Sequence, residues 1–284
     1  MWSRQLTMNR LLPPLACPVR TCYLPLTRDA RAWTCARGHS FDVARRGYVN
    51  LLQPQDRRSL DAGDPRAALD ARSRLLATGI GRGILDAFVA LASGLLPDAG
   101  AAVADLGCGA GEALGVLHSR RNIVAVGIDL AAPAVDIAAR RFPSVTWVVA
   151  NADRRLPLLD ASQSLVMSLH ARRNPAECER VLSAGRHLLV ALPAPDDLIE
   201  LREAVQGARV ERDRAAAVIT EHASAFDVVD RSTAREQHRV GGEQLRDLLR
   251  GTYRGERSSA AERVQALSDL QVTLASDFIV FRRR

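Results

Sequence analysis

Three cysteines and one histidine near the amino terminus have the spacing of a metal site. Four residues separate Cys17 from Cys22, and three separate Cys35 from His39. Thiolates and imidazole are the usual ligands of tetrahedral zinc, and two such pairs complete its coordination. A knuckle this short buries too little to fold alone, so the metal would supply its folding energy. The alternative is a set of unrelated thiols beside a surface histidine. We expect a zinc site.

A glycine-rich segment further along the chain has the pattern of a nucleoside-binding turn. Asp105 precedes Gly107, Gly109 and Gly111, and a helical pattern begins directly after them. Glycine permits a tight turn with close approach of a ligand, and the helix that follows offers free N–H groups to an anion. Dinucleotide-binding proteins favour Gly-x-Gly-x-x-Gly, whereas the spacing here is Gly-x-Gly-x-Gly. We therefore interpret the segment as a site for S-adenosylmethionine (SAM), with a purely structural turn as the alternative.

Three more residues are candidates for cofactor binding. Asp129 ends the next predicted strand and would accept hydrogen bonds from both ribose hydroxyls, which an NAD site would also require. Asn151 and Ala152 follow the third predicted strand and would lie beside the adenine, with Asp153 near the adenine amine. The same Asn-Ala-Asp turn is also suitable for capping a helix.

The order of elements from residue 101 predicts an α/β fold. Apolar, β-rich runs at 103–106, 123–130, 145–150, 165–169 and 187–192 alternate with helical patterns at 113–120, 133–141 and 175–182. This alternation implies a parallel sheet with right-handed crossovers, as in a Rossmann-like domain. Beyond residue 196 we expect helical, polar stretches and a last strand at 277–281.

The positive charge is concentrated in the first third of the chain. The net charge is +7, and residues 1–99 carry +6 of it, all from arginine because the chain has no lysine. Such a concentration favours an RNA phosphate backbone, with a solvated basic surface as the alternative. Arg20, Arg28, Arg31 and Arg37 surround the cysteines and would be presented to a partner.

These features predict three parts: a zinc-binding RNA-recognition module at 1–50, a linker with helices at 51–99, and a SAM-dependent methyltransferase domain at 100–284. Gly79, Gly81 and Gly83 divide the helical pattern at 66–96 into two helices. No apolar run is long enough to span a bilayer and no export signal is evident, so we expect a cytoplasmic protein without a membrane partner.

Several stretches together resemble the bacterial 23S rRNA guanine-N1 methyltransferases, a family that includes tylosin- and mycinamicin-resistance enzymes. The matching stretches are Cys35-Ala36-Arg37-Gly38-His39-Ser40-Phe41-Asp42, Arg46-Gly47-Tyr48-Val49-Asn50-Leu51-Leu52, Gly63-Asp64, the loop at 105–111, Asp129, Arg173-Asn174-Pro175-Ala176-Glu177, Arg180-Val181-Leu182 and Leu192-Pro193. The resemblance implies a zinc-bearing RNA-recognition module joined to a Rossmann-like SAM domain. It implies a guanine in the 23S rRNA hairpin of the peptide exit tunnel as the target, and a link to macrolide resistance. The resemblance alone also allows a homodimer.

The chain departs from the family pattern at two places that face the substrate. The family usually has Cys-x-x-Cys at the first ligand pair, and an aromatic-Ala-Pro sequence where this chain has His170-Ala171-Arg172. We predict that His170 contacts or deprotonates the target base, or only fills the aromatic position, and that Arg172 and Arg173 contact phosphate. Asn174 is expected to cap the helix that follows. Two alternatives are a small-molecule methyltransferase, suggested by the altered segment, and a non-catalytic RNA-binding homologue.

Overall fold

The computed structural model describes residues 12–56, 63–97, 100–207, 211, 213–251 and 269–284. Their elements, in chain order, are β1 (Leu26–Arg28), β2 (Ala32–Cys35), β3 (Ser40–Asp42), β4 (Val49–Asn50), a 3-10 helix (Pro54–Asp56), α1 (Arg66–Ala77), α2 (Arg82–Gly94), β5 (Ala101–Leu106), α3 (Glu112–Arg120), β6 (Ile123–Asp129), α4 (Ala132–Arg141), β7 (Thr146–Val149), β8 (Gln163–Leu169), α5 (Pro175–Val181), β9 (Leu182–Pro193), α6 (Ile199–Gln206), α7 (Ala215–His222), β10 (Phe226–Gly241), α8 (Gly242–Gly251) and β11 (Asp269–Arg283). The strands and helices predicted between residues 101 and 193 are therefore confirmed, with small changes at their ends.

The strands at the centre of the molecule form a mixed sheet. Within the described residues it has eight strands in the order β10-β11-β9-β8-β5-β6-β7-β4. The pairs from β9 to β4 are parallel, whereas β11 and β10 are antiparallel additions at one edge. The chain runs from β5 outward to β7 and then returns to β8 on the other side of β5. Ligands of open α/β sheets bind at such a switch point, outside the carboxyl ends of the strands.

The antiparallel edge corrects the prediction for the last third of the chain. Helices were expected after residue 196 and are present, but β10 is a strand of 16 residues that the sequence pattern did not predict. It pairs along its length with β11, which is 15 residues long and begins well before the predicted strand at 277–281. Residues 228–233 of β10 are all exposed, so this part of the strand has no apolar alternation to recognise. Charged side chains on an exposed edge also discourage pairing with other chains.

Helices α1 and α2 confirm the two helices expected at 66–96. Gly79 and Gly81 adopt positive φ between them, and the two helix axes differ by 90°. Helix α1 packs against α8, and α2 packs against the antiparallel edge, where Phe88 meets Phe278 at a ring distance of 5.6 Å. No single helix in the described ranges is long and apolar enough to cross a membrane, although α1 and α2 taken as a bent pair meet the length and composition test.

The amino-terminal module shares its core with the central sheet. Strands β1, β2 and β3 form a small antiparallel sheet, so the predicted knuckle is more regular than expected. Leu15 and Trp33 belong to the same buried cluster as Leu106 and Leu158 of the central domain. Strand β4, at the end of the module predicted at 1–50, extends the central sheet beyond β7, directly before the segment that was interpreted as a linker. Residues 57–62 of that segment lie outside the described residues.

Candidate metal and cofactor sites

The four predicted metal ligands lie together. Their ligand atoms are all within 4.8 Å of one another, and Cys22 Sγ is 3.7 Å from Cys35 Sγ. His39 Nδ1 lies 3.4 Å from the sulfurs of both Cys17 and Cys35. A tetrahedral zinc ion with Zn–S bonds of about 2.3 Å would hold two sulfurs about 3.8 Å apart. The donor atoms and their spacing therefore fit zinc.

The turn between β2 and β3 positions the second ligand pair. Gly38, with φ of 81°, donates its N–H to the carbonyl of Cys35 at 2.9 Å, and Cys35 donates to the carbonyl of His39 at 3.1 Å. Burial opposes ionisation of the Cys35 thiol, but hydrogen bonds from the backbone N–H groups of Arg37 and His39, together with those to the side chains of Cys22 and His39, outweigh it and lower the pKa of Cys35. Because zinc binds thiolate rather than thiol, this turn is prepared for the metal.

The loop between Cys17 and Cys22 is held in an unusual backbone conformation. Thr21 and Tyr23, on either side of Cys22, have φ of 68° and 50°. Residues other than glycine rarely adopt this left-handed region, and they remain there only when the surroundings hold them. Arg37 contributes by donating from Nη1 to the carbonyl of Thr21 at 2.7 Å. The metal cluster and Arg37 thus together determine the conformation of the loop between Cys17 and Cys22.

The glycine loop joins β5 to α3 at the switch point. Gly107, Gly109 and Gly111 all have positive φ. A Cβ atom on Gly111 would lie 2.5 Å from the Trp147 ring, so packing excludes any larger residue there. A Cβ atom on Gly109 would meet nothing within 4 Å, because the loop faces open space at that point. The glycine at 109 therefore leaves room for a ligand against the backbone.

Asp105, directly before the loop, is a buried carboxyl group with an unused acceptor. It is 2% exposed, and its Oδ1 accepts no hydrogen bond from any described residue. The pKa of Asp105 is raised to about 8, mainly by burial and to a smaller extent by repulsion from Asp129 and Glu112. An unsatisfied buried acceptor is costly, and it is expected where a ligand completes the site. The ammonium group of SAM would supply such a donor, so the site fits this cofactor.

Asp129 and the turn after β7 form the next part of this edge. Asp129 accepts from the N–H groups of Gly109 and Ala131 at 2.9 and 2.8 Å, one on each carboxylate oxygen. Burial raises its pKa, and these two hydrogen bonds partly offset the effect. Each carboxylate oxygen has a second lone pair that a ribose hydroxyl could use. The predicted ribose contact and a structural role for Asp129 are thus compatible.

Asn151 and Ala152 lie at the carboxyl end of β7, as expected for residues beside an adenine. The Asn151 amide donates to the carbonyl of Asp56 at 2.9 Å and accepts from the N–H of Asp153 at 2.9 Å. The side chain therefore connects the 3-10 helix to the turn, and the capping alternative does not apply to it, because no helix begins between residues 151 and 174. Ala152 is half-buried against the central apolar cluster.

His170 occupies the carboxyl end of β8 in a strained conformation. Its φ is 55°, and its N–H donates to the carbonyl of Ala191 at 3.0 Å. The imidazole Nε2 is 2.8 Å from the hydroxyl of Ser276, which is fully buried on β11. The pKa of His170 is lowered to about 4. The main cause is desolvation of the ring, and the positive charges of Arg72 and Arg214 are smaller causes. His170 is nonetheless an exposed residue, and its lowered pKa keeps the imidazole neutral at pH 7.

The residues after His170 have different exposures. Arg172 has a side chain that is 79% exposed, and its Nε lies 3.2 Å from a carboxylate oxygen of Asp153. Arg173 is half-buried and bonds to the carbonyl of Ala171 at 3.3 Å, so only Arg172 extends into solvent. Asn174 accepts from the N–H of Ala176 at 3.1 Å, which confirms its predicted role as a helix cap.

Sequence reasoning missed the contribution of α1 to this edge. Leu69 packs against Ala110 of the glycine loop and Ala131, and Arg72 pairs with Asp64 at 2.5 Å. The charge of Arg72 influences the pKa values of both Asp129 and His170, so α1 lies over the cofactor edge. The only sequence signal was the Gly63-Asp64 match. Ser276 gave no signal, because the predicted last strand began after it.

Comparison with known proteins agrees with this geometry. A zinc-ribbon family described as RlmA, N-terminal, matches residues 15–60, and a methyltransferase domain matches residues 103–190. The 23S rRNA (guanine(748)-N(1))-methyltransferase of Streptomyces fradiae is 32% identical over 275 residues, which cover 94% of this chain and 96% of that protein. A Micromonospora griseorubida protein, provisionally named a 23S rRNA (guanine-N(1)-)-methyltransferase, is 34% identical over 257 residues, covering 84% of this chain and 85% of its own length.

A solved structure supports the fold independently. The YcgJ protein of Bacillus subtilis superposes with a TM-score of 0.51 at 15% identity, covering 70% of this chain and 99% of that chain. The predicted α/β fold with an amino-terminal zinc-binding module is therefore confirmed, as are the two cofactors, SAM and zinc. The chain is a SAM-dependent methyltransferase, and it belongs to the family of 23S rRNA (guanine-N1) methyltransferases.

Proposed function

We propose that this protein transfers the methyl group of SAM to N1 of a guanine in 23S rRNA, in the hairpin that lines the peptide exit tunnel. One geometric observation carries the proposal: Cys17 of the metal cluster and Asn151 of the cofactor edge line the same cavity, of about 220 Å³. The zinc ribbon and the turn after β7, which borders the cofactor edge, therefore open onto one cleft. A small substrate would not require a basic module there, whereas an RNA substrate would. The names of the relatives support the same substrate.

The proposal assigns roles to the residues predicted from the sequence. The zinc ligands are Cys17, Cys22, Cys35 and His39. The residues that bind SAM are Asp105, Gly107, Gly109, Gly111, Asp129, Asn151 and Ala152. Residues 1–50 recognise RNA, residues 51–99 connect the parts and cover the cofactor edge, and residues 100–284 carry out methyl transfer.

Methyl transfer depends on alignment of the reacting groups rather than on a covalent intermediate with the protein. When bound, SAM supplies an electrophilic methyl group on a sulfonium sulfur, which keeps the electron pair of the broken S–C bond. The glycine loop and Asp129 hold the cofactor, and the gain comes from fixing the attacking nitrogen in line with it. As the new N–C bond forms, the N1 proton of guanine becomes acidic and must leave. With Nε2 held by Ser276, Nδ1 of His170 is the atom that accepts this proton. Because its lowered pKa makes His170 a weak base, the proton passes on to water rather than staying on the ring.

Exposed arginines would hold the RNA backbone. Arg20 and Arg37 on the zinc ribbon and Arg172 beside His170 are all exposed. Phosphate contacts of this kind position the nucleic acid, and contacts to the base then specify the target. We also propose a cytoplasmic site of action, from the sequence pattern, and a homodimeric state and a role in macrolide resistance, both by resemblance. Light scattering and drug-susceptibility assays test the last two.

Methylation of unmodified ribosomal RNA tests the proposal. Purified protein, radiolabelled SAM and 23S rRNA lacking the modification are combined, and primer extension locates any block. We expect label in the RNA and a single stop at one guanine of the exit-tunnel hairpin, because a methyl on N1 prevents base pairing. Label absent from RNA despite SAM binding would overturn the proposal and favour the small-molecule alternative suggested by the 170–172 segment.

A further inference from the structure

We infer that the cavity between the zinc ribbon and the cofactor edge binds one single-stranded nucleotide of the RNA, separate from the target guanine. Its base would stack on Tyr23, and its phosphates would contact Arg20 and Arg154. This inference rests on the proposed function, because it assumes an RNA substrate. It adds a second point at which the RNA is recognised.

The cavity lies between the zinc ribbon and the segment after β7, and Leu51, Leu52 and Asp56 from the segment after β4 complete its lining. The loop at 18–23 of the zinc ribbon provides Arg20 and Tyr23, and the segment after β7 provides Arg154, Arg155 and Pro157. The volume of about 220 Å³ far exceeds the roughly 30 Å³ share of one water molecule, so a planar ring can enter. A ligand in this cavity would contact both parts at once.

The two sides of the cavity already meet in a stacked pair. The guanidinium carbon of Arg155 lies 4.0 Å from the centre of the Tyr23 ring, and Tyr23 is 38% exposed. RNA-binding proteins capture unpaired bases on aromatic rings and on arginine planes of this kind. Tyr23 has a left-handed backbone directly after the metal ligand Cys22, and residues other than glycine keep this conformation only where their surroundings hold the backbone.

The charge of the cavity favours an anionic ligand. Arg20 and Arg154 are exposed, and neither forms an ion pair with another residue in the described ranges. Arg155 is 3.8 Å from Asp160, which is outside the lining. Asp56 is the acidic residue among those that line the cavity, so positive charge is in excess. A phosphodiester beside a stacked base satisfies both features of the site.

The cavity is next to the SAM site but does not coincide with it. Asn151 borders both, whereas the glycine loop, Asp105 and Asp129 are absent from the lining. His170, the proposed contact of the target guanine, is also absent from it. The target base and the cavity nucleotide would therefore occupy different places.

Binding of a fluorescent, unmodified 23S rRNA fragment containing the exit-tunnel hairpin tests the inference. We expect Tyr23→Ala to weaken binding about tenfold, because one base stack is lost, and Tyr23→Phe to bind like the wild type. Arg154→Ala should weaken binding and reduce the slope of log Kobs against log salt by about 0.7, the value for one phosphate of a single strand. The matched control is Arg231→Ala, an exposed arginine on β10 at the opposite edge of the sheet, which should change neither quantity.

An abasic scan identifies the nucleotide. Single abasic positions are placed around the target guanine, and each RNA is measured with wild type and with Tyr23→Ala. At one position the Tyr23→Ala penalty should vanish, because base and ring form one interacting pair. Zinc content and SAM affinity are measured for every variant and should be unchanged.

Three outcomes overturn the subsite. The first is wild-type RNA affinity of both Tyr23→Ala and Arg154→Ala, and the second is that Tyr23→Ala and the abasic substitution weaken binding additively at every position. The third is a fall in the SAM affinity of these variants, which would assign the cavity to the cofactor. They are distinguishable from failure of the proposed function. If the wild type transfers no methyl to RNA, the function itself is refuted. If the wild type methylates RNA and both variants bind it normally, only the subsite is refuted.

Discussion

Replacing Asp105 with asparagine should stabilise the ligand-free protein while weakening SAM binding. The substitution keeps the shape of the side chain but removes a buried charge whose Oδ1 has no hydrogen-bond donor in the described part of the chain. Folding raises the pKa of Asp105 from 3.8 to about 8. The carboxyl group therefore opposes folding whenever it must ionise.

The sign and size of the effect follow from linkage. Below pH 3.8 the group is protonated in both states and has no effect. As the pH rises from there, the unfolded state loses its proton first, so the stability of the wild type falls until the pH passes about 8. The full difference corresponds to about 6 kcal/mol above that pH and about 4 kcal/mol at pH 7. Relaxation and water entry reduce such penalties, so we expect Asp105→Asn to gain about 2–4 kcal/mol at pH 8.

Urea unfolding of both proteins between about pH 5 and pH 8, with zinc bound, measures this gain. Comparing the two at each pH cancels any effect of pH on the metal site. Asp129→Asn is the matched control: one carboxylate oxygen that accepts a backbone N–H becomes an NH₂ group, a cost of about 1–3 kcal/mol that offsets the gain from removing a carboxyl group whose pKa is also raised. Its net gain should therefore be smaller than that of Asp105→Asn. The reasoning is refuted if Asp105→Asn is no more stable than wild type at pH 8, or if the difference does not grow with pH. Calorimetry should show weaker SAM binding by the variant.

Further substitutions test the other parts of the site. Gly109→Ala should cost only about 1–2 kcal/mol of stability but lower the SAM affinity measured by calorimetry. Gly111→Ala, whose Cβ clashes with the Trp147 ring, should cost more than about 2 kcal/mol. Equal unfolding free energies of the two variants would contradict this. Cys35→Ala should lose bound zinc and lower the Tm, and full metal content by atomic absorption would disprove its role. His170→Ala should slow single-turnover methyl transfer at least about tenfold at unchanged SAM affinity; an unchanged rate would remove His170 from the mechanism. Arg180→Ala leaves the mostly buried Glu177 without its ion-pair partner and should lower the free energy of unfolding by about 3 kcal/mol. An unchanged urea midpoint would show that this ion pair is dispensable.

Short sequence patterns were sufficient to predict much of the site and of the central sheet. The glycine loop and the metal cluster are both short segments in which backbone geometry and ligand spacing determine the arrangement. The strands β5 to β9 were predictable because buried parallel strands are nearly continuous apolar runs. In contrast, β10 is stabilised by pairing between residues as far apart as Phe226 and Arg283, and its exposed edge carries no apolar pattern.

The amino-acid sequence by itself determined the fold class, the two cofactors and the family, because these depend on residues close together in the chain. The tertiary structure alone decided which distant residues complete the site. It placed Arg72 of α1 over the cofactor edge, Ser276 against the ring of His170, and Tyr23 against Arg155 across the cavity. Each of these contacts arises where separate segments pack into one core, and such packing depends on the shape of the whole sheet rather than on any local pattern.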